Sequence, residues 1–286
     1  MKILIFGKGF LGTRCAEAWA GETTLSDLHI NNIEGVLAEL DRVKPDVVLN
    51  AAGTTGRPNV DWCDSHQLET VFGNTLVPLL IAEACAQRNI YLLHLGSGCI
   101  FYGRSHHPDG AWRESDFGNP QPSYSRSKWA ADLALSTLPK VGIARLRMPI
   151  DHVPSARNLI NKLSQYPKII DVQNSVTIVD DLVIALHQLM EKRGAGIFHC
   201  VNPGIMRHRD LIRLYEELID PQHSNEWISE QDLVAQGLAT KARSNNIMSS
   251  TRLQELGINM RPVEVALRDT MEKYAVHVKG KANVVV

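Results

Sequence analysis

An α/β fold built on a doubly wound parallel sheet, followed by a smaller α/β part, is predicted by three observations. Short, mainly apolar runs such as Ile3-Leu4-Ile5-Phe6 and Tyr91-Leu92-Leu93-His94-Leu95 read as strands covered on both faces. They alternate with stretches of helical spacing. A glycine-rich turn, Gly7-Lys8-Gly9-Phe10-Leu11-Gly12, joins the first strand to the first helix. The chain has 286 residues, enough for a well-buried core, and its 30 Lys+Arg against 31 Asp+Glu give no electrostatic reason to expect nucleic acid or an anionic membrane as partner.

The first strand, Ile3 to Phe6, runs through Gly-x-Gly-x-x-Gly into the helical stretch Thr13 to Trp19. Glycines there allow a tight turn and close backbone approach, and the helix N-terminus offers N–H groups to a pyrophosphate. This Rossmann-type arrangement predicts a dinucleotide at Gly7, Gly9, Phe10, Leu11 and Gly12. An acidic residue about 20 positions on would hold the adenosine ribose. Asp27 is the nearest, but Thr24-Leu25-Ser26-Asp27-Leu28-His29 does not read as a strand end. NADPH and NADH both stay open.

Ile33 to Val43 has helical spacing, and Lys44-Pro45 stops it before the strand Asp46 to Asn50. Ala51, Ala52 and Gly53 follow, small enough for a flat cofactor to lie against backbone. Glu69 to Arg88 reads as one long helix kinked at Pro78, with Asn74 either a satisfied core amide or a brace beneath the site. The strand Tyr91 to Leu95 exits into Gly96-Ser97-Gly98-Cys99. Ligands of such sheets sit at the carboxyl ends of strands, so a substrate is expected there. Residues 103–122 form a loop over that edge, and His106-His107 within it reads as solvated turn chemistry, with no metal expected. Tyr124 and Lys128, at i and i+4 of the helix Ser123 to Leu135, share one face. Val141 to Met148 is the next strand, ending in Arg147-Met148-Pro149.

Beyond it the alternation loosens into helix Ala156 to Gln165, strand Ser175 to Val179, helix Asp180 to Lys192 and strand Gly196 to Val201, then helices near 207–219, 229–236 and 262–276, and a loose tail from Lys279. Residues 1–150 are thus expected to bind the nucleotide cofactor and 151–286 to form a smaller substrate-binding region interleaved with it. Of the five cysteines, Cys15, Cys63, Cys85 and Cys200 are expected in the core, and the absence of any Cys-x-x-Cys pair suggests a reducing compartment. With no signal peptide and no apolar run long enough to span a bilayer, the expected location is the cytoplasm.

Taken together, Gly7-x-Gly-x-x-Gly12, Asn50-Ala-Ala-Gly53, Ser97 and Tyr124-x-x-x-Lys128 resemble the extended short-chain dehydrogenase/reductases. The stretches Asn50 to His66, Gly98-Cys-Ile-Phe101, Arg145 to Ile150, Asn202-Pro-Gly204 and Arg243-Ser-Asn-Asn246 are similar to the bifunctional 3,5-epimerase/4-reductases of nucleotide-rhamnose synthesis, which act on UDP- or dTDP-4-keto-6-deoxyglucose. Two departures stand out: a serine at 97 where the family more often has threonine, and a glycine loop one residue shorter than that of most extended members.

The resemblance implies an NAD(P)H-dependent reduction in which Tyr124 protonates the C4 oxygen, Lys128 supports it and holds the nicotinamide ribose, and Ser97 hydrogen-bonds the ketone. Pro149 joins the cofactor site. Epimerisation would use Cys99 as base and Lys162 as acid, whereas by the residues alone Cys99 is more often a buried structural thiol and Lys162 passes for a helix-surface charge. Thr55, Arg57, Asn59, Asn74, Arg157, Arg243, Asn245 and Asn246 would hold the nucleotide sugar. A separate 4,6-dehydratase would supply the substrate, and a homodimer is compatible with the pattern. A reductase without epimerase activity and a catalytically silent dinucleotide-binding subunit are the alternatives; intact Ser97, Tyr124 and Lys128 speak against silence.

Overall fold

The computed structural model describes residues 1–56, 59–239 and 243–282. Its centre is a six-stranded, all-parallel sheet of β1 (Ile3–Phe6), β2 (Thr23–Leu25), β3 (Val47–Asn50), β4 (Tyr91–Ser97), β5 (Val141–Leu146) and, after four short strands, β10 (Gly196–His199). The spatial order is β10-β5-β4-β3-β1-β2. The chain reverses direction across the sheet between β1 and β3, which opens a crevice at their carboxyl ends. Both faces are covered, as the apolar runs of β1 and β3 require: every residue of these strands is buried.

One face is covered by α1 (Phe10–Ala18) and, from far along the chain, by residues of α8 (Val179–Glu191) such as Leu182, Leu186 and Met190. The other is covered by α2 (Ile33–Val43), α5 (Val77–Gln87) and α6 (Ser123–Leu135). Between α2 and α5 lie the short α3 (Trp62–Ser65) and α4 (Gln67–Val71). A separate apolar cluster packs the later chain: Ile150 of β6 (Pro149–Ile150), Ile160 of α7 (Leu159–Gln165), Ile169 of β7 (Lys168–Ile170) and Ile178 of β9 (Thr177–Ile178), with β8 (Gln173–Asn174) between the last two. Leu211 of α9 (His208–Leu218), which follows β11 (Met206–Arg207), joins that cluster, as does Leu267 of α12 (Val263–Ala282). The remaining elements are β12 (Glu226–Ile228), α10 (Glu230–Ala235) and α11 (Thr251–Glu255). The later chain therefore contributes both to its own core and, through α8 and β10, to the nucleotide-binding one.

Three elements of the fold bear on expectations made from the sequence. The long helix from Glu69 is not a single α-helix: a π turn, Phe72–Leu76, joins α4 to α5, and Pro78 sits in the first turn of α5, directly after that irregularity. This continuous stretch, Gln67–Gln87, is long and apolar enough by composition to cross a membrane, with mean hydropathy 1.3, so the expectation that no such run exists is corrected; here α5 packs against α2 and α6. Strand β2 was not expected at all. Its three residues are half-buried at the sheet edge and lack the apolar run that marks the other strands. Finally, α12 continues to Ala282 where a loose tail from Lys279 was expected.

Candidate active site

The first turn of the fold has the shape its glycines allow. Gly7 has φ of 102°, and a Cβ there would overlap Ala52 N and lie 2.5 Å from Ala51 C, so no side chain fits. A Cβ at Gly12 would overlap the Gly7 carbonyl, whereas at Gly9 nothing lies within 4 Å. Two glycines thus bring strand and helix together, and the middle one leaves the space in which a pyrophosphate would lie. A cleft of about 1100 Å³ opens there, lined by Gly7, Gly9, Ala51, Ala52, Gly53 and Thr54. These residues fit a dinucleotide. Phe10 and Leu11 form the first turn of α1 beside it.

Asp27 lies two residues beyond β2 and also lines the cleft, where Lys8 is ion-paired with it. The acidic residue is therefore at a strand end after all; only the brevity of β2 hid it.

At the exit of β4, Ser97 accepts a hydrogen bond from the N–H of Cys99, 3.2 Å, and caps the 3₁₀ turn Gly98–Ile100. Tyr124 lies on the first turn of α6, close enough to Ser97 for the two side chains to interact. Burial and the neighbouring Cys99 push its phenol pKa up, with Ser97 and Arg147 acting the other way. Lys128 is 5% exposed and donates to the Leu95 carbonyl at 2.7 Å, with His94 Nε2 3.2 Å away. Burial brings its pKa down to about 8.

Of the five cysteines, the four expected in the core are buried and Cys99 alone is half-exposed. Sequence reasoning missed its partner. Arg147, 4% exposed, donates to Cys99 Sγ at 3.0 Å. The guanidinium is held by Asn174 Oδ1, 2.6 and 3.2 Å, and by the Ser244 carbonyl. Met148, just before Pro149, takes a left-handed φ of 44°, a strained state for a non-glycine residue, and turns the chain from Arg147 into β6. Pro149 pairs there with Thr177 of β9. Lys162 is half-buried on α7; burial and then Arg157 lower its pKa, and its ammonium makes no hydrogen bond or ion pair among the described residues.

The loop after β3 meets residues from far along the chain. Arg157 reaches Thr55 Oγ1, and Arg243 grips Asp61 with bonds of 2.7 and 3.2 Å. Asn59 Oδ1 accepts from the Asp61 N–H at 2.8 Å, so Asn59 and Arg243 converge on one residue. Asn245 bonds Asn174 and Glu230. Arg57 lies outside the described residues.

Two of the residues expected to touch substrate are committed elsewhere. Asn74 is fully buried, accepts from Thr54 N–H at 2.8 Å and donates to the Thr54 carbonyl at 2.9 Å and Ser127 Oγ at 3.1 Å, which is the brace alternative. Asn246, 1% exposed, donates to the carbonyls of Gly98 and Phe101 at 3.0 and 2.9 Å. Both hold loops that carry the site, because a buried amide with every donor used has none left for a ligand. His106 and His107 are joined by Asp116, all three offering ligand atoms within 4.8 Å, but Asp116 already accepts from the Arg113 N–H.

A parallel sheet with a glycine cleft at its reversal point, and a Ser-Tyr-Lys set beside that cleft, defines an extended short-chain dehydrogenase/reductase. The RmlD substrate binding domain family matches residues 1–276, and the chain belongs to it. It is similar to the bifunctional dTDP-4-dehydrorhamnose 3,5-epimerase/dTDP-4-dehydrorhamnose reductase of Arabidopsis thaliana, 35% identical over 263 residues, covering 88% of this chain and 86% of the relative. A trifunctional UDP-glucose 4,6-dehydratase/UDP-4-keto-6-deoxy-D-glucose 3,5-epimerase/UDP-4-keto-L-rhamnose-reductase of the same plant is 33% identical over 96% of this chain, which spans 42% of that longer protein. Among solved structures, the L780 UDP-rhamnose synthase of Acanthamoeba polyphaga mimivirus superposes with a TM-score of 0.88 at 29% identity, over 96% of this chain and 99% of that one.

Proposed function

We propose that the chain reduces the 4-keto group of a nucleotide 4-keto-6-deoxy sugar, using NADPH or NADH, and first epimerises C3 and C5, yielding an NDP-β-L-rhamnose. The observation that carries the reading is the set of four groups at one strand exit: Ser97, Tyr124 and Cys99, with Arg147 on the sulfur. The names of the relatives support it, and UDP and dTDP both remain candidates for the nucleotide. The name of the trifunctional relative includes a 4,6-dehydratase, which supports a 4,6-dehydratase as the source of the keto sugar.

The chemistry follows from acidity. C3 and C5 both stand next to the C4 carbonyl, so removing either proton gives an enolate whose charge rests on O4. Ser97 and the Tyr124 phenol donate to that oxygen. Cys99 takes the proton on one face, with Arg147 supplying positive charge beside the sulfur. Lys162, its charge disfavoured by burial, returns a proton to the opposite face. The reduced nicotinamide, when bound, supplies the hydride for C4. Tyr124 then gives its proton to O4; the upward shift of its pKa keeps that proton on the phenol until the alkoxide develops. The cleft residues Gly9, Ala51 and Ala52 would hold the dinucleotide, and Thr55, Asn59, Arg157 and Arg243 the nucleotide sugar, a guanidinium being suited to two bonds with a diphosphate.

Incubation with UDP- or dTDP-4-keto-6-deoxyglucose and NADPH in D₂O tests this. Deuterium at C3 and C5 of a rhamnose product is expected, and Cys99→Ser should lower that exchange by about 10² or more while hydride transfer to pre-epimerised substrate persists. A 6-deoxy product without ring deuterium would leave a reductase alone.

A further inference from the structure

Lys128 does not stand alone. Asn50 closes β3 and pairs in register with His94 of β4. Both are fully buried. Asn50 Oδ1 accepts from the Ala52 N–H at 3.0 Å, so its Nδ2 faces His94 Nδ1, also at 3.0 Å. His94 Nε2 is 3.2 Å from Lys128 Nζ, and Nζ donates to the Leu95 carbonyl.

Donor and acceptor counting fixes the protons in this chain. The amide oxygen of Asn50 is taken by Ala52, so its NH₂ is the group aimed at His94, and Nδ1 must accept. A neutral imidazole then carries its proton on Nε2. That N–H points at Lys128, which can accept it only as an uncharged amine. A charged Lys128 needs the reverse: Nε2 accepting, Nδ1 protonated, and the Asn50 amide turned so that its oxygen meets the ring. The turned amide presents NH₂ to the Ala52 N–H, and that bond is lost. Ala52 lines the cofactor cleft.

We propose that Asn50 and His94 form a relay tying the proton on Lys128 to the cofactor wall at Ala52, which makes His94 a positioning residue for Lys128. The arrangement seen here is that of the neutral amine. Taking up a proton on Lys128 frees the Ala52 amide; losing it locks Ala52 to Asn50. The charge that supports Tyr124 and the backbone that faces the cofactor thus change together.

The surroundings suit such a device. Burial holds His94 well below the ordinary imidazole range, and the Lys128 charge adds to that, so the ring stays neutral while the lysine titrates. On its own helix Lys128 feels Asp132, which favours the charge and is paired with Arg145 of β5 at 2.8 Å; Tyr124 lies one turn before it. From β4 it meets His94 and from β3, through that ring, the uncharged Asn50.

The idea rests on the reading of Lys128 as the lysine of the reductase set, and its test does not depend on turnover. The cofactor-free full chain, labelled with ¹⁵N-histidine, would be followed by NMR from about pH 6.5 to about 9.5, with His94 identified by loss of its signals in His94→Gln. The expected result is Nε2–H at the alkaline end and Nδ1–H at the acid end, with a midpoint at about 8. Asn50→Asp, whose two oxygens can accept from Ala52 and from Nδ1–H together, should hold the Nδ1–H form and raise that midpoint by at least about tenfold in proton concentration. One tautomer throughout in the wild-type chain, which needs no variant to fold, overturns the relay; so does an unmoved midpoint in a folded Asn50→Asp. If the tautomer switches but no 4-keto sugar is reduced, the relay stands and the reductase reading falls.

Discussion

The two sides of the active cleft are made by different means. The cofactor side is backbone: Gly7, Gly9 and Gly12 lie within one turn, and its shape follows from side chains that are absent. The side proposed for substrate is a network of side chains brought from distant segments. Arg147 is held by Asn174, 27 positions on, and Asn246 ties down Gly98, 148 positions away. A wall of backbone fails sterically, at one position and almost completely. A wall of buried polar side chains fails by degrees, because each group removed leaves partners behind that still satisfy part of the network.

The phenol shared by both sides gives the largest expected effect. Tyr124→Phe should lower kcat for reduction about 10³-fold with dinucleotide affinity unchanged, measured by stopped-flow oxidation and fluorescence titration. A loss under about tenfold would mean that another group delivers the proton. Next comes a pH effect on stability from Lys128, buried beside the cofactor side. Its folded pKa of about 8 lies below that of the unfolded chain, so the unfolded state binds more protons between the two values and stability rises with pH there. Relative to Lys128→Met, the wild-type chain should gain on the order of 3 kcal/mol between about pH 7 and about pH 10.5, read from urea unfolding. A flat difference would place the ammonium in solvent.

Asn246→Ala sharpens the substrate side. Loss of the amide leaves the carbonyls of Gly98 and Phe101 short of a donor, and about 1–3 kcal/mol of stability should go with it. Isotope exchange at C3 and C5 should fall in step while dinucleotide affinity holds. The smallest effect is expected at Gly9→Ala. Open space surrounds that position, so melting should be unchanged and only dinucleotide affinity should drop, by a few-fold to about tenfold. An equally mild outcome at Gly7→Ala, where φ is positive and backbone blocks a Cβ, would break the contrast between the two sides.

The glycine turn of the cleft was legible in the sequence, and the network of side chains around Cys99 only in part. The glycine turn and the Tyr124–Lys128 spacing are local patterns, and local patterns survive in one dimension. Strand β2 did not register, because an edge strand of three half-buried residues carries no apolar signature, and Asp27 was left without a strand end to belong to. The π turn Phe72–Leu76 escaped for a related reason: Pro78 marks an irregularity but not which side of it gives way. Asn74 and Asn246 were expected to face substrate, since exposed and buried asparagines look alike until their neighbours are known.

The sequence by itself determined the alternation of strand and helix, the glycine-lined crevice and the order in which Ser97, Cys99, Tyr124 and Lys128 occur, because each depends on periodicity or on residues a few positions apart. Only the tertiary structure decided that Arg147 is buried against Cys99, that Asn246 serves the turn rather than the ligand, and that Asn50 and His94 meet Lys128. Those contacts join strands, a helix and loops that are neighbours only across the packed sheet. Their energetics depend on burial, which removes water as the alternative partner and makes every donor answer to a particular acceptor.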